Sequence, residues 1–205
     1  MTRIKFCGVT RDEDLAIAVE LGVDAVGFVL WPDSPRGISI EAAARLIAGL
    51  PAAITPVGVF VRPSRGEVQR AIEVGGIRTA QIHGTADLSA VTGLACDAWL
   101  AASLGSQALS ADTGATILLD AGDPERHGGT GSIIDWDAAG RIAARRRVFL
   151  AGGLTPENVG DAIHQAQPYG VDVSSGIEDR PGIKNAASMR AFVAAVRRAD
   201  RREVG

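Results

Sequence analysis

Short apolar runs recur along the chain, each stopped by small or polar residues, at 4–7, 25–30, 55–61, 79–83, 98–102, 116–120, 148–151 and 171–174. Between most of them apolar residues return at helical spacing, over 12–21, 40–50, 65–74, 135–144, 155–165 and 186–198. Repeated strand-then-helix order predicts parallel strands joined by crossovers. Eight units in 205 residues average about 26 each, which suits a single-domain α/β fold, a (β/α)8 TIM barrel spanning residues 1–205. An open doubly wound sheet would usually hold fewer strands. The fifth helix is the weak position: residues 104–114 include Gly105, Ser106, Ser110, Asp112, Thr113 and Gly114, turn chemistry that predicts a short helix or a loop.

Side chains alternate across a strand, so the pattern also assigns an interior face. If Cys7 points into the barrel at its rim, Lys5 does so one layer below; by the same parity Gln81 accompanies His83, Leu118 accompanies Asp120, and Asp172 accompanies Ser174. An inward lysine is costly unless paired. Closing the barrel sets the last strand beside the first, which predicts a Lys5–Asp172 ion pair that adds positive potential beneath Cys7. Thr10, just past the first strand, is a candidate cap for a helix with acidic residues in its first turn.

Composition narrows the class of function. A hydrophobic content of 46% supports a sizeable core, and a formal net charge of −3 with scattered basic residues offers no nucleic-acid footprint. No apolar run approaches membrane-spanning length, and the first residues carry no leader pattern, so the expected setting is cytoplasmic. Cys7 and Cys96 lie far apart and, with His83, His127 and His164, form no metal-type spacing.

Candidate chemistry collects at the C-terminal ends of the strands, where barrel enzymes place their active sites. Gly152-Gly153 after the seventh run and Ser174-Ser175-Gly176 after the eighth can aim free backbone amides at one anion. Either segment alone also reads as a plain tight turn; together, one strand–helix unit apart, they favour a phosphate. Arg36 sits in a loop stiffened by Pro32 and Pro35, which suits bidentate capture of a carboxylate. Cys7, ordinarily a core residue in such a strand, ends it at the catalytic rim, whereas Cys96 opens the fifth strand at the other rim. Asp120 ends an apolar run on a carboxylate, and Gly128-Gly129-Thr130-Gly131-Ser132 beyond it reads as a lid rather than a dinucleotide fingerprint. His83 is a rim donor with a structural hydrogen bond as its plainer reading.

Taken together, Lys5-Phe6-Cys7-Gly8-Val9-Thr10, Pro35-Arg36-Gly37-Ile38-Ser39, Val57-Gly58-Val59-Phe60-Val61, Gln81-Ile82-His83-Gly84, Leu118-Leu119-Asp120 with Asp135-Trp136, Gly152-Gly153-Leu154-Thr155-Pro156-Glu157-Asn158-Val159, Asp172-Val173-Ser174-Ser175-Gly176-Ile177-Glu178 and Pro181-Gly182-Ile183-Lys184 resemble the phosphoribosylanthranilate isomerase family. The resemblance runs from Arg3 to about Lys184 and lacks a signature only between strands five and six. It implies an Amadori rearrangement in tryptophan biosynthesis without metal or organic cofactor. Cys7 would be the general base and Asp120 the general acid. Arg36 would hold the anthranilate carboxylate, and Gly152, Gly153, Ser174, Ser175 and Gly176 the phosphate; His83 and Asp172 are further substrate-side candidates. Lys5 would favour the Cys7 thiolate. The implied partner is a small phosphoribosyl substrate, with no nucleic acid and no membrane, in a monomer or homodimer. The rivals are an indoleglycerol-phosphate synthase type of barrel, which should show catalytic Lys and Glu at several strand ends, and a non-catalytic phosphometabolite-binding barrel.

Overall fold

In the computed structural model the described residues are all except 107, 108, 110–113, 122–133 and 203–205. Eight parallel strands close on themselves in sequence order: β1 (Arg3–Cys7), β2 (Ala25–Val29), β3 (Thr55–Val61), β4 (Thr79–His83), β5 (Asp97–Ala102), β6 (Thr116–Leu119), β7 (Val148–Leu150) and β8 (Gly170–Val173). Among the described residues six α-helices cover them: α1 (Asp12–Glu20), α2 (Ile40–Ile47), α3 (Arg65–Glu73), α4 (Trp136–Ala143), α5 (Val159–Ala166) and α6 (Ala186–Arg202). Closure pairs β1 with β8 in a register that sets Lys5 opposite Asp172.

Strand alternation sorts the buried apolar residues into two layers. Ile4, Phe6, Val26, Phe28, Ile117, Leu119, Val148 and Leu150 face outward and pack with the helices. Ala25, Val29, Val57, Val59, Trp99, Leu118 and Phe149 fill the barrel. Trp99 stacks on Phe149 with ring centroids 4.3 Å apart inside the cylinder, toward the N-terminal ends of the strands. Both faces of these strands are therefore dry, which is why they read as nearly continuous apolar runs.

Two crossovers depart from the strand–helix rule. Between β4 and β5 the chain makes turns in which Val91 and Leu94 pack as a helix would, while the Asp87 carboxylate accepts from the Ser89 amide at 2.8 Å. That side-chain-to-backbone bond competes with a helix. Between β5 and β6 no helix of ordinary length is present among the described residues, consistent with the turn-rich composition.

A hairpin after β8 was not foreseeable from the apolar pattern. Following a single 3-10 turn at Ser175–Ile177, β9 (Glu178–Arg180) and β10 (Ile183–Lys184) pair antiparallel. Thr10 belongs to this arrangement rather than to α1: its hydroxyl donates to the Gly182 carbonyl at 2.6 Å, and the residue in the cap position of α1, Arg11, makes no side-chain cap bond. Arg11 instead grips Asp14 of the first turn through two hydrogen bonds, of 3.0 and 2.6 Å. At the far end of the chain the Asp200 carboxylate accepts from the Thr2 amide and hydroxyl, at 2.9 and 2.7 Å, tying α6 to the start of β1.

Candidate active site

A cavity of about 520 Å³ opens at the C-terminal ends of the strands and gathers residues from widely separated stretches of sequence. Its lining includes Cys7, Arg36, Gln81, His83, Asp120, Gly152, Gly153, Asp172, Ser174 and Ser175. Of the residues expected to meet there, Gly176 alone stands behind the wall. A Cβ at Gly176 would lie 1.9 Å from the Leu154 carbonyl oxygen, so glycine is required for the β8 turn to pack on the β7 loop. Cys96 lies at the opposite end of the barrel, beside a second cavity of similar size.

Cys7 ends β1 and is 8% exposed. Below it Lys5 is wholly buried and donates to Asp172 at 2.8 Å, the ion pair expected from strand parity and barrel closure. Gly27 on β2 leaves room for the group: a Cβ there would sit 2.9 Å from the Cys7 Sγ and 3.0 Å from the Lys5 Nζ. Burial opposes the charge on Lys5, but Asp172 and Cys7 outweigh it and hold the ammonium pKa above its usual value. For Cys7 the balance falls the other way. Burial pushes the thiol up, and the pull of Lys5 toward the thiolate, partly countered by Asp172, does not overcome it. Lys5 thus favours the thiolate, as expected, but desolvation is larger and the thiol stays above its usual value.

Asp120 directly follows β6, its amide bonded to the Ala102 carbonyl at 3.0 Å. It stands next to the glycine loop after β7, since a Cβ at Gly152 would meet Asp120 Oδ1 at 2.9 Å and the Ala121 amide nitrogen at 2.7 Å. Gly152 and Gly153 both adopt positive φ, +84° and +63°. Their loop is braced by Asn158, whose side chain donates to the Gly153 carbonyl at 2.8 Å and accepts from the Thr155 amide at 2.8 Å. These bonds make 155–158 a turn, so α5 starts at Val159, later than its apolar spacing suggests. The expected lid at Gly128–Ser132 lies outside the described residues.

Arg36 is brought over the end of β1. Its stem packs on Gly8, where a Cβ would come within 2.7 Å of the Arg36 Cδ. The guanidinium already holds one carboxylate: Nε and Nη2 donate to Glu178 at 2.9 and 2.7 Å. A guanidinium has five N–H donors, so this side-on grip leaves its end-on fork chemically able to take a second carboxylate. Glu178 is nearly buried, with Lys184 on its other side at 2.8 Å. Burial disfavours its charge, yet the Arg36 and Lys184 hydrogen bonds and charges prevail, keeping its carboxyl below the ordinary range. Neither Glu178 nor Lys184 was singled out from the sequence. A carboxylate and a lysine flanking a Pro-Gly turn look like surface residues until the hairpin folds them inward.

His83 ends β4 at the cavity wall, and its Nε2 lies 2.7 Å from the Gln81 amide nitrogen. Gln81 is 1% exposed, and its Oε1 has no hydrogen-bond partner among the described residues. Among the described residues no group of three or more His, Cys, Asp or Glu is placed to hold a metal, and no helix is long and apolar enough to cross a membrane.

Comparison with known proteins gives the family and the fold. The family model for N-(5'phosphoribosyl)anthranilate (PRA) isomerase matches residues 4–195. The N-(5'-phosphoribosyl)anthranilate isomerase of Citrifermentans bemidjiense is 43% identical over 199 residues, covering 95% of this chain and 96% of its own. The crystal structure of phosphoribosyl anthranilate isomerase from Thermotoga maritima superposes with a TM-score of 0.88 at 36% identity, covering 96% of this chain and 99% of that one. A further structure of such an isomerase, in complex with reduced 1-(o-carboxyphenylamino)-1-deoxyribulose 5-phosphate, gives 0.84 at 34% identity with the same coverage. With a matching family model over nearly the whole length and a barrel that superposes end to end, the chain belongs to the N-(5'-phosphoribosyl)anthranilate isomerase family.

Proposed function

We propose that the chain, acting as one domain in the cytoplasm, converts N-(5-phosphoribosyl)anthranilate to 1-(2-carboxyphenylamino)-1-deoxyribulose 5-phosphate in tryptophan biosynthesis, with Asp120 as general acid and Cys7 as general base. The observation that supports this reading is the meeting, in one cavity, of a thiol, a carboxyl, a guanidinium and two glycine- or serine-lined strand ends. Each part has a task. Asp120 gives its proton to the furanose ring oxygen as the bond from C1 to that oxygen breaks, and the amine nitrogen lone pair forms the Schiff base. The Cys7 thiolate then removes the proton from C2, and the electron pair left behind neutralises the iminium to give an enolamine. Tautomerisation of the enolamine yields the ketone.

Binding energy comes from the two ends of the substrate. The end-on fork of Arg36 takes the anthranilate carboxylate, and the amides of Gly152, Gly153, Ser174 and Ser175 take the phosphate, with Gly176 letting their turn pack on the loop after β7, so the reacting carbons are held between acid and base. His83 and Gln81 line the wall between these anchors, and Asp172 serves through Lys5 as well as at the cavity surface. The indoleglycerol-phosphate synthase alternative has less support, since its catalytic lysines and glutamates should project into the cavity, whereas Lys5 and Lys184 are buried beneath its wall in ion pairs.

A coupled assay decides the matter. The labile substrate is generated in place from anthranilate and phosphoribosyl pyrophosphate by a phosphoribosyltransferase, and its consumption is followed with the product identified by mass and by ketose chemistry. Rapid loss to the aminoketose is expected. A substrate that persists, or that cyclises with release of carbon dioxide, would overturn the assignment.

A further inference from the structure

Lys184 is the least expected cation in the molecule. Its side chain is completely buried, although no sequence pattern marks it as interior. Burial draws its pKa down despite the partners around it. An ammonium has three donors, and the three shortest contacts use them: the Cys7 carbonyl at 2.5 Å, the Ser174 carbonyl at 3.1 Å and Glu178 Oε1 at 2.8 Å. Those two carbonyls are at the C-terminal ends of β1 and β8, one belonging to the thiol residue and one to the phosphate-side turn. The Ser174 hydroxyl adds a donor to the same Cys7 carbonyl at 3.1 Å. Through Glu178 the chain of contacts continues to Arg36, whose stem lies on Gly8 next to Cys7. The hairpin that carries Lys184 is pinned from both sides, by Thr10 on the Gly182 carbonyl and by Asp14 accepting from the Lys184 amide at 3.2 Å.

We propose that Lys184 is a positioning residue that fastens the carboxylate clamp to the base, holding Glu178, and through it Arg36, against the backbone of Cys7 and Ser174. The proposal rests on the reading of Arg36 and Cys7 given above. Two cations sharing one carboxylate leave a net positive charge beside the thiol. The groups facing Cys7 are then Lys5 from its own strand, Asp172 from β8, Lys184 from β10 and Arg36 from the loop after β2. Of these only Lys184 also touches the clamp and the strand end.

The test uses the full-length enzyme in the coupled assay, with Lys184→Met, Arg36→Ala and the double variant. In a Cys96→Ser background, alkylation of Cys7 by iodoacetamide is followed against pH. Misplacing an anchor by an ångström costs up to about 100-fold, so Lys184→Met is expected to raise KM by about 10- to 100-fold, and to move the Cys7 alkylation midpoint to higher pH. Because Lys184 acts through Arg36 on binding, the double variant should have the KM of Arg36→Ala alone to within about twofold, the range expected of a shared route rather than independent sites. A Lys184→Met enzyme with wild-type KM and an unmoved alkylation curve would overturn the proposal, as would KM effects that multiply. Should Lys184→Met not fold, Glu178→Gln keeps the shape while removing the charge that joins the two cations; a wild-type KM there is equally decisive. An inactive wild-type protein would instead condemn the assigned reaction itself, so the two failures are distinguishable.

Discussion

Cys7 shows how burial and charge compete at a single atom. Its thiol holds its proton more tightly than usual because desolvation outweighs the pull of Lys5 and Lys184. If Cys7 is the base, kcat/KM should climb from neutrality into the alkaline range as the thiolate fraction grows; a profile already flat at neutral pH would remove Cys7 from that role. Replacing Cys7 or Asp120 by alanine is expected to lower kcat by at least about 10²- to 10⁴-fold, the usual worth of one proton-transfer group, while leaving the affinity for a reduced product analogue within a few-fold. Arg36→Ala should do the reverse, raising KM with a smaller change in kcat. Glycines give a structural contrast at the same scale. Gly176→Ala drives a Cβ into the Leu154 carbonyl, where backbone must yield, and should destabilise by about 1–3 kcal/mol. Gly160, inside α5, has open space where a methyl group would stand, and Gly160→Ala should stabilise by about 0.5–1 kcal/mol. Chemical denaturation of both variants reads the two signs, and like signs would contradict this account of the turn.

Among elements, the seam between β1 and β8 carries the most demanding interaction. Lys5 and Asp172 are both buried at the place where the first and last strands of the barrel meet. Removing one partner leaves an uncompensated charge, so Lys5→Met is expected to cost about 3–5 kcal/mol, and Lys5→Met with Asp172→Leu considerably less than the sum of the single changes. Additive denaturation free energies would show that the pair is not coupled. The pattern of apolar runs had located this seam, because parity and closure together leave little choice of partner for an inward lysine. It could not locate the β9–β10 hairpin, whose strands are three and two residues long and mostly polar. Thr10 shows the same limit: read locally its hydroxyl is a helix cap, and only the hairpin supplies the acceptor it bonds, the Gly182 carbonyl.

At the level of the whole molecule, closure binds stability to pH. Glu178 keeps its carboxyl below the ordinary range, as does Asp200, where burial is outweighed by the Thr2 hydroxyl and amide and by neighbouring positive charge. A carboxyl whose pKa falls on folding contributes stability above its unfolded value and loses it as pH drops through the folded one. The thermal midpoint should therefore fall as pH is lowered through and below about 4.3, the free glutamate value, and fall less steeply in Glu178→Gln. An identical slope in that variant would mean that the Arg36–Glu178–Lys184 junction adds no stability. The same closure explains what could be read in advance. Repeating apolar runs, the small residues after β7 and β8, and an inward Lys5 are local or parity properties, so sequence alone determined the barrel, its catalytic end and the ion pair of its seam. Which groups share a proton's environment, which carboxylate Arg36 already holds, and how far burial raises Cys7 depend on side chains from strands distant in the chain converging in a dry space. Those were decided only by the tertiary structure, because desolvation and charge pairing act through distance in space and leave no periodic trace along the backbone.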